Sequence, residues 1–119
     1  MAVVNEECLD HNVLVLTPTD ELLTAGVVQE VQAYIDSTAA KHIIIDFRSI
    51  RFLANGSLYP HAAPITPLIM LHKQLSQEVR QLVLCNLSSE IADVFRITRF
   101  EQLFEVQPDL DTALSSIRG

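Results

Sequence analysis

Residues 41–73 read KHIIIDFRSIRFLANGSLYPHAAPITPLIMLHK, and this stretch decides the fold. His42 to Asp46 is a run of β-branched residues without polar alternation, which predicts a central strand covered on both faces. From residue 53 to 67 an Asn-Gly dipeptide and three prolines break both helix and strand, so a long loop is expected. Apolar residues at helical spacing return from Ile65 and predict a helix. In open α/β sheets, ligands and partners usually meet the protein where a strand's carboxyl end faces a helix's amino end.

Composition limits the function classes that remain open. The chain has 119 residues, 49% of them hydrophobic, which predicts one packed domain over residues 1–119. A formal net charge of −7 without a basic stripe argues against nucleic acid as a partner. The amino terminus lacks an export signal and no segment approaches a membrane span, so we expect a cytoplasmic protein without membrane insertion. Cys8 and Cys85 lie in separate strand-like segments, which favours reduced core thiols over a disulfide.

Strands and helices are predicted to alternate along the whole chain. The first two strands cover residues 3–9 and 12–17 and are joined by a tight turn. An amphipathic helix follows over residues 22–36, with Asp20 or Thr24 as its cap. A second helix that follows its cap at Thr66 is predicted to run to about residue 78, and residues 81–85 form the next strand. A helix capped by Ser88 comes next, with Ile91, Val94, Phe95 and Thr98 as its inner stripe. A short edge strand at 105–106 precedes a last helix with Pro108 in its first turn and Leu110, Ala113, Leu114 and Ile117 buried. The fold class is therefore α/β, a mixed and mostly parallel sheet of about four to five strands packed with about four helices.

This order of elements resembles the STAS family, the domain of anti-sigma-factor antagonists and of the cytoplasmic tails of sulphate transporters. Residues 44–52 are similar to the family's strand and turn, and residues 71–75 to its second helix. Residues 82–91 and 95–104 fit the family's next strand, capped helix and threonine-containing turn. The resemblance extends over residues 13–117 and implies a single STAS-like domain that regulates another protein and is not an enzyme.

The family's switch is a serine in an Asp-Ser-Ser-Gly-Leu motif at the start of the second helix. A partner kinase that is also the anti-sigma factor phosphorylates it. Counted forward from Phe52, the motif falls on residues 54–58, which lack the acid and have Ser57 where glycine is expected. Counted back from His72, it falls on residues 61–65, where alanines replace both serines. The two counts differ because about seven residues are inserted relative to the family pattern.

Three residues of this loop can be interpreted in structural or in functional terms. Ser57 is the only hydroxyl in the forward register, and a phosphate there would bring a charge of about −1.5 to −2 to a helix amino terminus. Alternatively, Ser57 is an ordinary turn residue. Thr66, which precedes a proline, is predicted to cap the second helix. Tyr59 either offers contact area to a partner or folds back over the core.

The residue pattern predicts no catalytic site, metal or cofactor. His61 titrates near neutrality but has no companion at ligand spacing. His72 lies on the apolar stripe and is expected to be a hydrogen-bonded packing residue. Asp46 ends the central strand, where capping or pairing with Arg48 or Arg51 is expected. Glycine-rich phosphate loops, nucleophile elbows and Cys-x-x-Cys pairs are absent from the sequence.

The leading hypothesis is a protein-binding module that resembles an anti-sigma-factor antagonist. It binds a kinase-type anti-sigma factor or a similar regulator through residues 53–66, here named the 53–66 loop, and the start of the second helix. The predicted partner-binding residues are Asn55, Gly56, Ser57, Leu58, Tyr59, His61 and Thr66. One alternative is a sensor whose loop encloses a small ligand, nucleotide or anion. Another is a homodimeric scaffold subunit that has lost the switch.

Overall fold

The chain alternates between strands and helices, as the sequence predicts. The computed structural model describes residues 4–9, 12–54 and 65–118, with side chains described for residues 12–54 and 65–117. The elements are β1 (Val4–Leu9), β2 (Val13–Pro18), β3 (Leu22–Leu23), α1 (Ala25–Asp36), β4 (His42–Asp46), β5 (Phe52–Leu53), α2 (Ile65–Gln77), β6 (Gln81–Cys85), α3 (Ser89–Ile97), α4 (Phe100–Leu103), β7 (Glu105–Gln107) and α5 (Leu110–Arg118).

The main sheet has five strands in the order β1-β2-β4-β6-β7. Strand β1 is antiparallel to β2, and the other neighbours are parallel. The mixed, mostly parallel sheet is therefore confirmed. Strand β4 lies at its centre, where Ile44 pairs with Val15 on one side and Val83 on the other. Because helices cover both faces of the sheet, β4 needs no polar residue between its isoleucines.

Alternate residues of the strands build two separate cores. On one face, Ile43 and Ile45 pack in a cluster to which helices α1, α2 and α3 contribute apolar side chains. On the other face, Ile44 and Val83 pack with Ala113 of α5. Helices α1 to α3, with Phe100 of the short α4, thus lie on one face and α5 lies on the other. The carboxyl ends of β2, β4 and β6 point to one edge.

The first helix begins three residues later than predicted. Leu22 and Leu23 form β3, which pairs in parallel with β5, and α1 starts at Ala25. The Glu21 carbonyl takes part in this pairing, since it accepts from the amides of Arg51 and Phe52 at 2.7 and 3.1 Å. The backbone here is therefore extended and not helical. Thr24, one of the two predicted caps, accepts from the Val27 amide at 3.2 Å.

The predicted inner stripe of α3 is half wrong. Ile91 and Phe95 are buried, whereas Val94 and Thr98 are exposed. The inner face is narrow because Phe104, with ring centroids 5.8 Å from Phe95, fills the space beside it. Thr98 instead ends the helix, where its hydroxyl donates to the Val94 carbonyl at 2.6 Å.

Two predicted helix starts are also corrected. Helix α2 begins at Ile65, so Thr66 is its second residue and not its cap. A proline at the third position is tolerated because the first amides of a helix have no partner within it. Pro108 precedes the last helix, and the Asp109 carboxylate accepts from the Thr112 amide at 2.8 Å as the cap of α5.

Candidate functional site

The candidate site lies at the carboxyl edge of the sheet, where the 53–66 loop connects β5 to α2. Of the predicted partner-binding residues, Thr66 is described and is exposed in the first turn of α2. The other predicted residues, Asn55, Gly56, Ser57, Leu58, Tyr59 and His61, lie outside the described residues. Their roles stay predictions, and the described part of the site is the frame that holds the two ends of the loop.

The entry to the loop is tied to two elements. The Ala54 amide donates to the Leu23 carbonyl at 3.0 Å and so extends the pairing of β5 with β3. On the other side, the Ser88 hydroxyl donates to the Arg51 carbonyl at 3.3 Å while it accepts from the Ile91 amide at 3.3 Å. Ser88, the predicted cap of α3, thus also connects that helix to β5.

The exit from the loop is the amino terminus of α2. Leu68, Leu71 and Leu75 are buried and fix this helix against the sheet. The described first turn contains no acidic residue, so no side chain within it offsets the positive end of the helix dipole. An anionic group on the loop would be stabilised there.

Asp46 clamps the ends of β4 and β6 together. It is fully buried, and its Oδ2 accepts from Nε and Nη2 of Arg48 at 2.8 and 2.7 Å. Its Oδ1 accepts from the Arg48 amide and from Nδ2 of Asn86, each at 3.0 Å. The predicted pairing of Asp46 is thus made with Arg48, whereas Arg51 faces Glu21 at 3.9 Å.

This clamp is suited to structural support more than to proton transfer. The hydrogen bond and the charge of Asp46 raise the pKa of Arg48 above its ordinary value. Both carboxylate oxygens of Asp46 already accept two hydrogen bonds each, which leaves little capacity for a substrate. Asn86 adopts the left-handed conformation, with φ of 57°, which places its amide beside the carboxylate.

Cys85 behaves as a core thiol. It is a free, buried cysteine at the end of β6. Burial, and then the charge of Asp46, raise the pKa of Cys85 to about 12. Since the thiolate is the reactive form, this cysteine is a poor nucleophile near neutral pH. The prediction of a reduced core thiol is confirmed for Cys85, and the side chain of Cys8 lies outside those described.

The described residues hold no assembled metal centre. Within residues 12–54 and 65–117, no three His, Cys, Asp or Glu side chains come together as a potential metal-binding group. The packing role predicted for His72 is confirmed, since its ring meets Phe104 edge-to-face at a centroid distance of 5.2 Å, whereas its predicted hydrogen bond stays a prediction. None of the helices in the described ranges combines the length and the apolarity needed to cross a membrane.

A shallow depression of about 210 Å³ borders the loop entry. It lies between β5 and α3 and is lined by Arg51, Phe52, Leu53, Glu90, Ile91 and Val94. Sequence reasoning missed this surface because it assigned Val94 to the core and found no strand at Phe52. The sequence signal for this surface is Val94, an apolar residue of α3 that lies outside the buried pair Ile91 and Phe95.

Solved structures share this fold with the chain. SpoIIAA, an anti-sigma factor antagonist in its unphosphorylated form, is 16% identical with a TM-score of 0.71, covering 98% of this chain and 97% of its own. An anti-sigma factor antagonist from Mycobacterium paratuberculosis is 18% identical with a TM-score of 0.75, covering 100% of this chain and 96% of its own. The phosphorylated form of SpoIIAA, a Bacillus cell fate determinant, is 15% identical with a TM-score of 0.66, covering 97% of this chain and 99% of its own. The fold is thus that of anti-sigma factor antagonists.

A family model identifies the chain more directly. The STAS domain model matches residues 8–113. The chain belongs to the STAS domain family, as the resemblance in the sequence implies. A search of curated proteins found no match.

Proposed function

We propose that this STAS domain is a regulatory module that binds a protein partner through the 53–66 loop and the first turn of α2. The observation that carries the proposal is the fixed frame around the loop. Its entry is hydrogen-bonded to β3 and α3, and its exit is anchored by three buried leucines of α2. Because this frame is already ordered before binding, association loses less conformational entropy.

The proposed partner is a kinase-type anti-sigma factor or a similar regulator, met in the cytoplasm. Membership of the STAS family and the fold shared with anti-sigma factor antagonists support this class of partner. The ionisable side chains of the described frame support binding over catalysis. Asp46 is paired with Arg48, Arg51 faces Glu21, and Cys85 stays protonated.

Ser57 is the proposed point of regulation. Phosphorylation would add a charge of about −1.5 to −2 to the loop that leads into α2, and the described first turn of that helix carries no acidic side chain. The phosphate would change the surface that the partner meets.

The test begins with in-cell cross-linking and affinity capture of the intact protein from its native cells. The recovered partner is purified, and its Kd is measured by calorimetry against the wild type, Ser57→Asp and Tyr59→Ala. Ser115→Asp, at an exposed position of α5 on the opposite face of the sheet, is the matched control. We expect Ser57→Asp to change Kd by about tenfold or more and to shift stability by less than about 0.5 kcal/mol.

Two results would contradict the proposal. If capture recovers no kinase-type anti-sigma factor or other regulator, the binding function is wrong. Should the partner bind wild type, Ser57→Asp and Tyr59→Ala equally well, the loop is not the contact surface.

A further inference from the structure

Four exposed apolar side chains form a continuous strip beside the loop entry. The strip, here named the β5–α3 strip, consists of Leu22, Phe52, Val94 and Ile97, and Phe52 and Ile97 are 53% and 77% exposed. Leu22 is the register partner of Phe52. Phe52 and Val94 line the same depression. Ile97 follows Val94 by three residues on α3, so the two side chains are neighbours on the helix surface.

The buried face of α3 includes neither Val94 nor Ile97. The inner face of α3 is already supplied by Ile91 and Phe95, which are buried. Large apolar side chains that adjoin one another on a small protein mark interaction surfaces more often than isolated ones do. The strip also contains Phe52, three residues before Asn55, so a partner on the 53–66 loop would lie next to it.

The charges along the strip indicate the chemistry of its occupant. Residues 19–22, 51–53 and 89–98 border or contain the strip and carry four carboxylates and two guanidiniums. Both guanidiniums face a carboxylate, Arg51 with Glu21 at 3.9 Å and Arg96 with Asp93 at 2.7 Å. Extending the count to residue 101 adds one charge of each sign. The border therefore keeps an excess of negative charge, and the whole chain has a formal net charge of −7.

We propose that the β5–α3 strip binds a basic amphipathic helix of the protein partner, with an apolar stripe flanked by lysine or arginine. The apolar stripe covers Phe52, Val94 and Ile97, and the basic flanks meet the acidic border. A second copy of this chain is disfavoured, because the two acidic borders would face each other. This inference rests on the proposed function in that the same partner is expected to contact the loop.

The first test uses a synthetic peptide with the intact protein. The probe is a fluorescent helix of about 18 residues with leucines at helical spacing and lysines on both flanks, and its counterpart carries glutamate in place of lysine. Binding is measured by anisotropy for the wild type, Ile97→Ser and the control Met70→Ser, whose side chain is 64% exposed in a groove between α1 and α2.

We expect the lysine peptide to bind the wild type and the glutamate peptide to bind at least about tenfold more weakly. Ile97→Ser should weaken binding at least about fivefold, and Met70→Ser by less than about twofold. Absence of binding, equal binding of the two peptides, or equal losses in the two variants would each overturn the proposal. So would sedimentation showing a dimer of the protein that Ile97→Ser dissociates.

A second measurement separates this inference from the proposed function. The captured partner is titrated with Ile97→Ser and with Tyr59→Ala. If Tyr59→Ala abolishes binding while Ile97→Ser leaves it unchanged, the strip is wrong and the proposed function stands. If no partner is captured but the lysine peptide still depends on Ile97, the strip stands and the proposed function is wrong.

Discussion

Replacing Val79 by glycine should stabilise the protein. Val79 follows α2 in the left-handed conformation, with φ of 57°, and its side chain is 87% exposed. A β-branched residue is rarely found there, because its Cβ approaches the following carbonyl oxygen. Glycine is the usual residue at such a helix end.

The expected gain follows from two opposing terms. Relief of the left-handed strain is worth about 1–2 kcal/mol. Glycine then loses about 0.4–1 kcal/mol through the greater freedom of the unfolded chain. Little packing is lost, and the backbone bonds from Val79 to Ser76 at 3.2 Å and from Arg80 to Leu75 at 2.8 Å involve no side chain. Taken at the middle of each range, the net stabilisation should be about 0.8 kcal/mol.

Urea unfolding of Val79→Gly and Asn86→Gly measures this gain against a matched control. Asn86 has the same φ of 57°, but its amide donates to the buried Asp46 at 3.0 Å. Asn86→Gly should therefore destabilise the protein by about 1–2 kcal/mol. If Val79→Gly is neutral or destabilising at an unchanged m-value, or if both variants shift in the same direction, the reasoning is refuted.

Three further predictions concern the buried and capping groups. In a Cys8→Ser background, Cys85 should resist a disulfide reagent at pH 8 and react once guanidinium unfolds the chain, because burial raises its pKa to about 12; fast native labelling would contradict this. The hydrogen bond from the Thr112 amide lowers the pKa of Asp109 in the folded protein. The stabilisation by the Asp109 carboxylate is therefore fully present above about pH 4, the pKa of an aspartate in the unfolded chain, and is lost as the pH falls through the lower pKa of the folded protein. Asp109→Asn should therefore flatten the acid limb of stability against pH, and an unchanged limb would refute that role. Asp46→Asn should cost about 2–3 kcal/mol in thermal or urea unfolding, since its new amide would face existing donors; a neutral result would show that the clamp is dispensable.

The parts of the fold that the sequence predicted best are those set by local pattern. Strand β4 was predicted residue for residue, because a short run of β-branched isoleucines without polar residues is typical of a strand covered on both faces. Ser88 was recognisable as a cap from its place between a strand and an apolar helical stripe.

What the sequence missed depends on partners distant along the chain. Strands β3 and β5 have two residues each, which is too short for any periodicity, and they exist because Leu22 and Phe52 meet in space. Val94 was misplaced because helical spacing indicates which residues share a face but not how wide the neighbouring surface is. The outward position of Val94 is what made the β5–α3 strip visible.

The frame would allow this STAS domain to tolerate the changed switch region that the sequence predicts. Lengthening a loop costs little, since doubling its length adds only about 0.6 kcal/mol of closure entropy. The insertion of about seven residues that the family resemblance implies should therefore lower the stability of the fold only slightly, provided that the loop ends stay fixed. The entry is held by two hydrogen bonds, from the Ala54 amide to the Leu23 carbonyl and from the Ser88 hydroxyl to the Arg51 carbonyl. The exit is held by the packing of the buried leucines of α2. None of these contacts involves residues 55–64. The same separation would let residues 55–64 change without disturbing Asp46 and the described parts of the two cores.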